Sequence, residues 1–457
     1  MSIEALSNMS LARAIEQSGG NPARMLRGLP AAHYNMPFDP EYTTWRDEQR
    51  AWKENTVLFD QSHHMTDLYV KGPDVKRLFS DLGVNGFQTF GKDKAKQFIA
   101  CNHDGQVISD AILFGFDDDE YVLVGTPVAP NWVQFHVETG DYDVTVVRDE
   151  RSEANPKGRL TFRYQLNGPL TQRILEKAHG AALEHIKFFH MGRFEIAGTP
   201  VRALNHTMAG VPGREMTGLE LVGPAERGPE VLDVLLNAGE EFGLRQGGAI
   251  SYVSTIYESG WIPSPIPAIY SDDRLADYRE WLPALGLEGF ASIGGSFASD
   301  DIEDYYTTPW DLGYGRSIKF DHDFIGRAAL EARSAQPHRK KVWLRWNETD
   351  TARVFADNLY REPAARPMAL NLPITSFTHF QFDRVHQGDR LVGLATFSGY
   401  TVNIDALCSL AMVEDSAAID GAEVTLLWGQ DPASPKPLVE RHVQTAIRAT
   451  ISTTPLV

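Results

Sequence analysis

The sequence has little of several features that would assign a protein to the cell surface or a membrane. Only two of its 457 residues are cysteine, Cys101 and Cys408, which is too few for a disulfide framework and fits a reducing compartment. No apolar run approaches the roughly 18 residues that cross a bilayer. The first 20 residues lack the basic start and apolar core of a secretory signal. We therefore expect a cytoplasmic protein.

Basic residues and common cofactor motifs are also scarce. The chain has 43 Lys and Arg against 61 Asp and Glu, a net charge of −18 at pH 7, which argues against nucleic acid or an anionic membrane as a partner. Neither GxGxxG nor GxxxxGK[ST] occurs, and HExxH and paired CxxC motifs are absent. Histidines cluster only at His63-His64, and neighbours in a strand point to opposite faces. We therefore expect no metal site.

Hydrophobic periodicity divides the chain into three parts. Residues 1–30 predict a helical N-terminal extension, with Leu11, Ala14 and Ile15 at helical spacing. Residues 31–335 alternate strands with amphipathic helices, which is typical of an α+β body. Residues 336–457 contain short strands and turns, and this pattern predicts a separate all-β unit.

The stretch 251–261 reads SYVSTIYESGW and holds two tyrosines among small and β-branched residues. This composition is typical of a packed strand, and a regular strand sends Tyr252 and Tyr257 to opposite faces. We interpret Tyr257 as structural. The stretch alone leaves open whether Tyr252 is a core residue or a proton donor.

Seven segments, read in order, resemble the folate-dependent aminomethyltransferase superfamily of the glycine-cleavage T-protein type. The longest are LFDQSHHMTDLYVKGPDVKRLF, NHDGQVISDAILFGFDDDEYVLVG and TTPWDLGYGRSIKFDHDFIGRAAL. The others are YQLNGPLTQRIL, MTGLELVGP, YESG and VGLATFSGYTVNIDALCSLAMV. The resemblance implies an α+β fold in which two interleaved folate-binding domains surround a central channel. It also implies a C-terminal β-barrel and tetrahydrofolate as the cofactor.

Within that superfamily the chain is most similar to the tetrahydrofolate-dependent aryl-ether O-demethylases of vanillate, 3-O-methylgallate and syringate. The shared features are the QSHH segment, an early tyrosine (Tyr34) and a tyrosine nine residues before a tryptophan, here Tyr252 and Trp261. The aminomethyltransferases instead carry paired aspartates where this chain has Ser109-Asp110, and an arginine at the position of Tyr252. The resemblance therefore implies a methyltransferase that moves a methyl group from a methoxylated aromatic acid to N5 of tetrahydrofolate.

An aryl methyl ether needs a proton donor, because its leaving group is a phenolate about as basic as tyrosinate, with a pKa of about 10. A phenol matches that basicity, whereas a carboxylic acid is usually ionised at neutral pH. We therefore expect Tyr252 to be the general acid, with His64 beside it. The resemblance assigns the substrate to these two and to four further residues: Gln61, Tyr34, Ser292 and Thr126.

The resemblance assigns four residues to folate. Glu220 offers the pterin edge a bidentate carboxylate, Trp261 offers a flat face for stacking, and Gln165 and the backbone at Val124 line the channel. Ordinary alternatives stay open at this stage. His64 is equally compatible with a core position in its strand, Glu220 with a solvent-facing position, and Trp261 with holding the proline-rich loop that follows it.

One departure concerns the substrate. Vanillate-type relatives place an arginine on the strand after the hairpin, where this chain has Thr126 and no cation, and this favours syringate. The alternative functions are a sulfonium demethylase, which needs an aromatic cage and no acid, an aminomethyltransferase, and a non-catalytic folate-binding assembly factor. The last carries KGCYxGQE, but the matching region here, DHDFIGRAAL, lacks the cysteine.

Overall fold

The structure is a computed structural model that describes residues 8–30, 36–210, 216–263, 265–434 and 436–457. In chain order its helices are α1 Leu11–Gln17, α2 Pro22–Gly28, α3 Trp45–Glu54, α4 Val75–Leu82, α5 Val128–Thr139, α6 Thr171–His179, α7 Gly228–Gly239, α8 Ala249–Ser254, α9 Ile256–Ser259, α10 Ala276–Trp281, α11 Arg327–Arg333 and α12 Glu348–Tyr360.

The strands begin with β1 Val57–Asp60, β2 Thr66–Lys71, β3 Lys94–Cys101, β4 Val107–Gly115, β5 Glu120–Gly125, β6 Thr145–Asp149, β7 Thr161–Asn167, β8 Met191–Ile196, β9 Thr199–Asn205 and β10 Gly218–Pro224. They continue with β11 Arg245–Gly247, β12 Ile293–Gly294, β13 Lys340–Trp346, β14 Phe380–Gln381, β15 Asp383–Gln387, β16 Arg390–Thr401, β17 Ala406–Val413, β18 Glu423–Trp428 and β19 Thr445–Ser452.

Two large sheets, one barrel and a two-stranded sheet of β12 and β14 organise these strands. The first sheet has the order β11-β1-β7-β10-β9-β8, and the second has the order β3-β4-β5-β2-β6. The barrel closes in the order β13-β17-β16-β15-β18-β19. The predicted α+β fold with a C-terminal β-barrel is therefore confirmed.

The C-terminal region is not all-β as predicted, because α12 lies between β13 and β14. The Asn347 side chain accepts a hydrogen bond from the backbone N–H of Asp350 and caps the start of this helix. Of the helix residues only Val354 is buried. A helix that buries one apolar side chain has no apolar stripe for a periodicity search to detect.

The stretch 251–261 is helical, so the strand prediction was wrong. Helices α8 and α9 meet at Thr255, and the chain turns at Gly260 with φ of 68°. Tertiary packing overrides the β propensity of Val253 and Ile256 here. The two tyrosines nevertheless enter different clusters: Tyr252 packs in that of Phe59, and Tyr257 in that of Ile404. The Tyr257 hydroxyl donates to the carbonyl of Ser398, 2.8 Å away, as expected for a structural residue.

The N-terminal helices pack against the body of the protein. Leu11, Ile15 and Leu26 belong to the same hydrophobic core as Leu68 of β2 and Trp132 of α5. Burial of these side chains stabilises the folded chain by about 1.5–3 kcal/mol each. The division at residues 30 and 335 stays a prediction. Within the described ranges, no helix is long and apolar enough to span a bilayer.

We predict that Gly260→Ala destabilises the protein more than Gly421→Ala does. Both glycines have positive φ, 68° and 78°, so both variants carry a backbone strain of about 1 kcal/mol. A Cβ at Gly260 would lie 2.1 Å from the Trp343 ring, whereas nothing lies within 4 Å at Gly421. The clash adds about 1–3 kcal/mol. Urea unfolding measures the difference, and equal losses would contradict the packing described here.

Candidate functional site

A phenol and an imidazole meet beside strand β1 of the first sheet. Tyr252 of α8 and His64 are both buried, and His64 Nε2 lies 3.0 Å from the Tyr252 hydroxyl. Gln61 Nε2 lies 3.5 Å from the same oxygen. We predicted that His64 lies in a strand, but it occupies the turn between β1 and β2. The structure thus brings together three of the residues predicted for the substrate.

Apolar side chains surround this pair. The rings of Phe38 and Phe59 stand edge-on to Tyr252, with centroids 5.8 and 5.2 Å away. Met208 Sδ lies 3.9 Å from the phenol oxygen and 3.0 Å from Gln61 Nε2. Little water reaches such surroundings, so hydrogen bonds made by the phenol are stronger than in bulk solvent.

Burial lowers the pKa of His64 to about 3, and the nearby positive charges of Arg159 and Arg151 act in the same direction. His64 is therefore neutral at pH 7, where its Nε2 either donates or accepts a hydrogen bond depending on the tautomer. A neutral imidazole orients the phenol without competing with it as an acid.

Ion pairs join the inner faces of the two sheets. Arg163 of β7 donates from Nε to Asp67 of β2 at 3.1 Å and from Nη1 to Glu220 of β10 at 2.6 Å. Its guanidinium lies 4.9 Å from the centroid of the Phe114 ring of β4. All three charged side chains are buried, so the pairs offset the cost of removing the charges from water.

Glu220 is buried and not solvent-facing. Burial alone would raise its pKa, but the hydrogen bond from His206, whose Nε2 lies 2.7 Å away, and the charge of Arg163 hold its pKa at about 2. The group is therefore an ionised carboxylate at pH 7. A carboxylate has about four acceptor positions, so two remain for donors of a ligand.

The other residues predicted to line the folate channel lie on the same two faces. Gln165 of β7 is paired with Phe59 on one side and Glu220 on the other, and paired residues share a face. Val124 of β5 is paired with Asp67 on the second sheet. The Arg163–Asp67 contact brings the two faces together.

Several buried polar atoms near these residues have no hydrogen-bond partner in the protein: Gln61 Oε1, Asp110 Oδ1, Asn167 Nδ2 and Gln165 Oε1. A buried polar atom without a partner costs roughly 1–3 kcal/mol. Three of these atoms are acceptors, and Asn167 Nδ2 is a donor. A heterocycle with ring N–H groups and a carbonyl could form hydrogen bonds with both kinds. The residues present therefore fit a pterin-type ligand.

Trp261 is half-buried beside a buried carboxyl group. Its indole N–H donates to Asp110 Oδ2 at 2.9 Å, and Tyr314 and Gln97 donate to the same oxygen at 2.7 and 2.6 Å. Burial raises the pKa of Asp110, although these three hydrogen bonds act in the opposite direction. The acid that remains in the hairpin thus contacts a residue predicted to bind folate.

Ser292 and Thr126, both predicted to bind the substrate, lie on other elements than Tyr252. Ser292 is buried, and its hydroxyl accepts from the backbone N–H of His379 at the start of β14. Thr126 follows β5 and is half-buried. Tyr34 lies outside the described residues. Their contact with a substrate stays a prediction.

Sequence reasoning missed Arg163, His206, Met208 and Phe38. Arg163 precedes Gln165 by two positions on one strand, so strand alternation places both on one face and provides a signal that could have found it. His206 and Met208 lie in an irregular segment after β9 that carries no such signal. Among the described residues, no group of three or more His, Cys, Asp or Glu side chains is placed to hold a metal ion.

Comparison with known proteins gives the family. The model of the GCVT N-terminal domain matches residues 24–263. The chain belongs to the GCVT family. A syringate O-demethylase from Sphingobium sp. (strain NBRC 103272 / SYK-6) is 40% identical over 441 residues, which cover 96% of this chain and 94% of that protein.

Two further proteins are similar to this GCVT-family chain. A sesamin methylene transferase from Sinomonas sp. (strain No.22) is 28% identical over 413 residues, 87% of each chain. The crystal structure of the glycine cleavage system aminomethyltransferase T from Bartonella henselae superposes with a TM-score of 0.62 at 15% identity. The superposition covers 98% of this chain and 97% of the Bartonella chain. This last likeness shows the fold alone.

We predict that His64 makes the stability of the protein depend on pH between about 6.5 and 3. The unfolded chain binds a proton at His64 below its ordinary pKa of about 6.5, whereas the folded protein binds one only below a pKa of about 3. Acidification therefore favours the unfolded state. From pH 7 to pH 5 the wild type should lose about 2 kcal/mol more than His64→Gln.

Urea unfolding at both pH values measures this loss. The matched control is His185→Gln, at an exposed residue, which should follow the wild type. If His64→Gln loses as much stability as the wild type, His64 is not held neutral by the fold.

Proposed function

We propose that the protein is a tetrahydrofolate-dependent O-demethylase of methoxylated aromatic acids such as syringate, vanillate or 3-O-methylgallate. The products are the corresponding phenol and 5-methyltetrahydrofolate. The observation that carries the proposal is the buried Tyr252 hydroxyl, which lies 3.0 Å from a neutral His64 and among apolar side chains. The 40% identity to a syringate O-demethylase over nearly the whole chain supports it.

Tyr252 protonates the aryl oxygen as its bond to the methyl carbon breaks. This requires the His64 tautomer with hydrogen on Nε2, because that imidazole donates to the phenol oxygen and leaves the phenol hydrogen for the ether. The same N–H then stabilises the tyrosinate that forms. The acceptor amine loses its hydrogen as a proton when the methyl group replaces it. One proton can therefore restore the Tyr252 hydroxyl before the next turnover.

When bound, tetrahydrofolate would supply the nucleophilic amine N5. Glu220 would accept from the 2-amino and N3 edge of the pterin, and Gln165 and the backbone at Val124 would line the ring. Trp261 would offer a flat face to the pterin or aminobenzoyl group. By holding both substrates in line and excluding water, these residues lower the barrier by several kcal/mol.

A cytoplasmic location stays a prediction.

The buried phenol of Tyr252 favours this function over a sulfonium demethylase. A sulfonium leaves as a neutral thioether, for which a phenolic acid serves no purpose.

We predict that Tyr252→Phe lowers turnover by about 10²–10⁴-fold, because it removes the proton donor and leaves the ring packing intact. Purified protein is incubated with tetrahydrofolate and a panel of methoxylated aromatic acids plus one methylenedioxy arene, and products are read by mass spectrometry. Folate binding of the variant should match the wild type.

The matched control is Tyr257→Phe, which removes a buried hydroxyl from the adjacent helix α9 and should retain turnover. Wild-type turnover in Tyr252→Phe would remove Tyr252 from the mechanism. If the wild type demethylates no aryl ether in the panel, the proposed function is wrong.

We predict that Glu220→Gln weakens tetrahydrofolate binding by about tenfold or more, because an amide replaces one acceptor of the pterin edge with a donor. Tryptophan fluorescence titration measures the affinity. Asp67→Asn is the matched control, since it breaks the same Arg163 network from the second sheet, 3.1 Å from Nε, and Asp67 has no assigned contact with folate. An equal loss of affinity in both variants would show that Glu220 acts only through the fold.

A further inference from the structure

Helix α8, which carries the phenol of the proposed function, is short. It has six residues, Ala249–Ser254, and the residue before it, Gly248, has no side chain to cap its start. In a helix of this length most backbone groups have no partner within the helix. The position of the Tyr252 hydroxyl therefore depends on the contacts that hold α8 in the protein.

Glu48 of α3 holds the start of α8 from inside the protein. Its side chain is buried, and Oε2 accepts from the backbone N–H of Gly248 at 2.9 Å and from the Ser251 hydroxyl at 2.6 Å. The Tyr252 backbone N–H in turn donates to the Gly248 carbonyl at 2.9 Å. Glu48 thus supplies the cap that glycine lacks, and Gly248 connects this cap to the backbone of Tyr252.

The second carboxylate oxygen of Glu48 holds the segment 38–43. Oε1 accepts from the backbone N–H groups of Tyr42 and Thr43 at 2.8 and 2.9 Å. A carboxylate has about four acceptor positions, and the donors of the segment and of α8 occupy them. Glu48 therefore keeps no acceptor position for a ligand and instead joins the segment to the helix.

Segment 38–43 also binds α8 directly. The Asp39 carbonyl accepts from the Ala249 N–H at 2.9 Å, and the Pro40 carbonyl accepts from the Ile250 N–H at 3.1 Å. These bonds satisfy the first free N–H groups of the helix. The segment and the start of α8 therefore form one hydrogen-bonded unit around the buried carboxylate.

Phe38 brings this unit into contact with the phenol and the imidazole. Its ring stands edge-on to that of Tyr252, with centroids 5.8 Å apart, and edge-on to that of His64 at 6.0 Å. Aromatic pairs prefer such edge-on arrangements, so a shift of segment 38–43 also shifts the packing of both rings. The relative position of phenol and imidazole thus depends on the carboxylate that fixes the segment.

Gln49, the next residue of α3, holds the other end of α8. Its Nε2 donates to the Ser254 hydroxyl at 2.9 Å, and its Oε1 accepts from the backbone N–H of Val402 at 2.9 Å. Gln49 is buried as well. Two neighbouring side chains of α3 therefore bind both ends of the helix, which is the kind of support that a precisely placed proton donor requires.

We propose that Glu48 is a positioning residue, which fixes the Tyr252 hydroxyl where it can protonate the ether oxygen. This inference rests on the proposed function and adds to it a residue that acts through helix α8. A misplacement of reacting groups by about 1 Å can lower turnover by about 100-fold. The loss of the Glu48 carboxylate should therefore slow the chemical step and leave the binding of both substrates in place.

The test is a double-mutant cycle on Glu48 and Tyr252. Turnover of syringate with tetrahydrofolate is measured by mass spectrometry in wild type, Glu48→Gln, Tyr252→Phe and the double variant. Glu48→Gln replaces one acceptor oxygen by an NH₂ group that faces two donors, and it should lower kcat by about 10–100-fold. KM for syringate and the affinity for tetrahydrofolate, measured by tryptophan fluorescence, should stay within about threefold. In the Tyr252→Phe background the same change should lower turnover by less than about twofold, because no hydroxyl is left to misplace.

Two further variants separate positioning from a general loss of stability. Glu288→Gln is the matched control, since Glu288 is a buried carboxyl group that accepts from Asn131 at 2.8 Å, and it should retain kcat. Ser251→Ala removes one of the four donors of Glu48 and should lower kcat by about 3–10-fold. Thermal unfolding checks that each variant is folded, and Ser251→Ala takes the place of Glu48→Gln in the cycle if the latter does not fold.

A second measurement needs no turnover. In protein with isotopically labelled tyrosine, the NMR signal of the Tyr252 ring is the one that Tyr252→Phe removes. This signal should shift in Glu48→Gln and stay in place in Glu288→Gln. It also decides the question if Tyr252→Phe turns over too slowly for the cycle.

Equal losses of turnover in both backgrounds, an unchanged kcat, or an unmoved Tyr252 signal would each overturn the role of Glu48, while wild-type turnover upheld the proposed function. A wild type that demethylates no aryl ether would instead overturn the proposed function. A Tyr252 signal that shifts in such a protein would still show that Glu48 positions the phenol.

Discussion

The arrangement of the site depends on one buried cation. Arg163 lies between Asp67 of the second sheet and Glu220 of the first. Three charged side chains without water are stable only when each meets its partners, so this network admits one relative position of the two sheets. That position holds the face that carries Glu220 and Gln165 next to the face that carries Val124. The network also keeps Glu220 ionised, a state that accepts hydrogen bonds and donates none.

The site separates its acids by environment. Glu220 faces two cationic or hydrogen-donating partners, which hold its pKa at about 2, whereas burial raises the pKa of Asp110. His64 is kept neutral by burial and by nearby arginines. A fixed acceptor, a carboxyl group with raised proton affinity and a neutral imidazole thus coexist in one protein. Pairs of titratable groups with opposed shifts are typical of sites that move protons.

The sequence allowed much of the fold to be predicted, because strands and helices with one buried face produce clear periodicity. The strands that carry Gln165 and Glu220, and those of the C-terminal unit, were found in this way, whereas the barrel was implied by the resemblance. The helical state of 251–261 was not, since its short helices are buried on most sides and contain β-branched residues. His64 and Tyr252 were named through the resemblance, but their contact depends on a turn whose direction no local pattern gives. Arg163 was passed over because its importance lies in contacts between sheets. The contacts of Asp110 were not foreseen because Trp261 and Tyr314 lie far from it along the chain.

Helix α9, which directly follows the helix of Tyr252, is hydrogen-bonded to the C-terminal barrel. Tyr257 donates to the carbonyl of Ser398 in β16, and the indole of Trp343 in β13 donates back to the Tyr257 carbonyl at 2.8 Å. The segment matched by the family ends at residue 263, before the barrel begins. Its boundary therefore separates Tyr252 from the barrel residues that hold the adjacent helix α9. A chimaera that exchanged barrels between relatives would also change how α9, and through it Tyr252, is positioned.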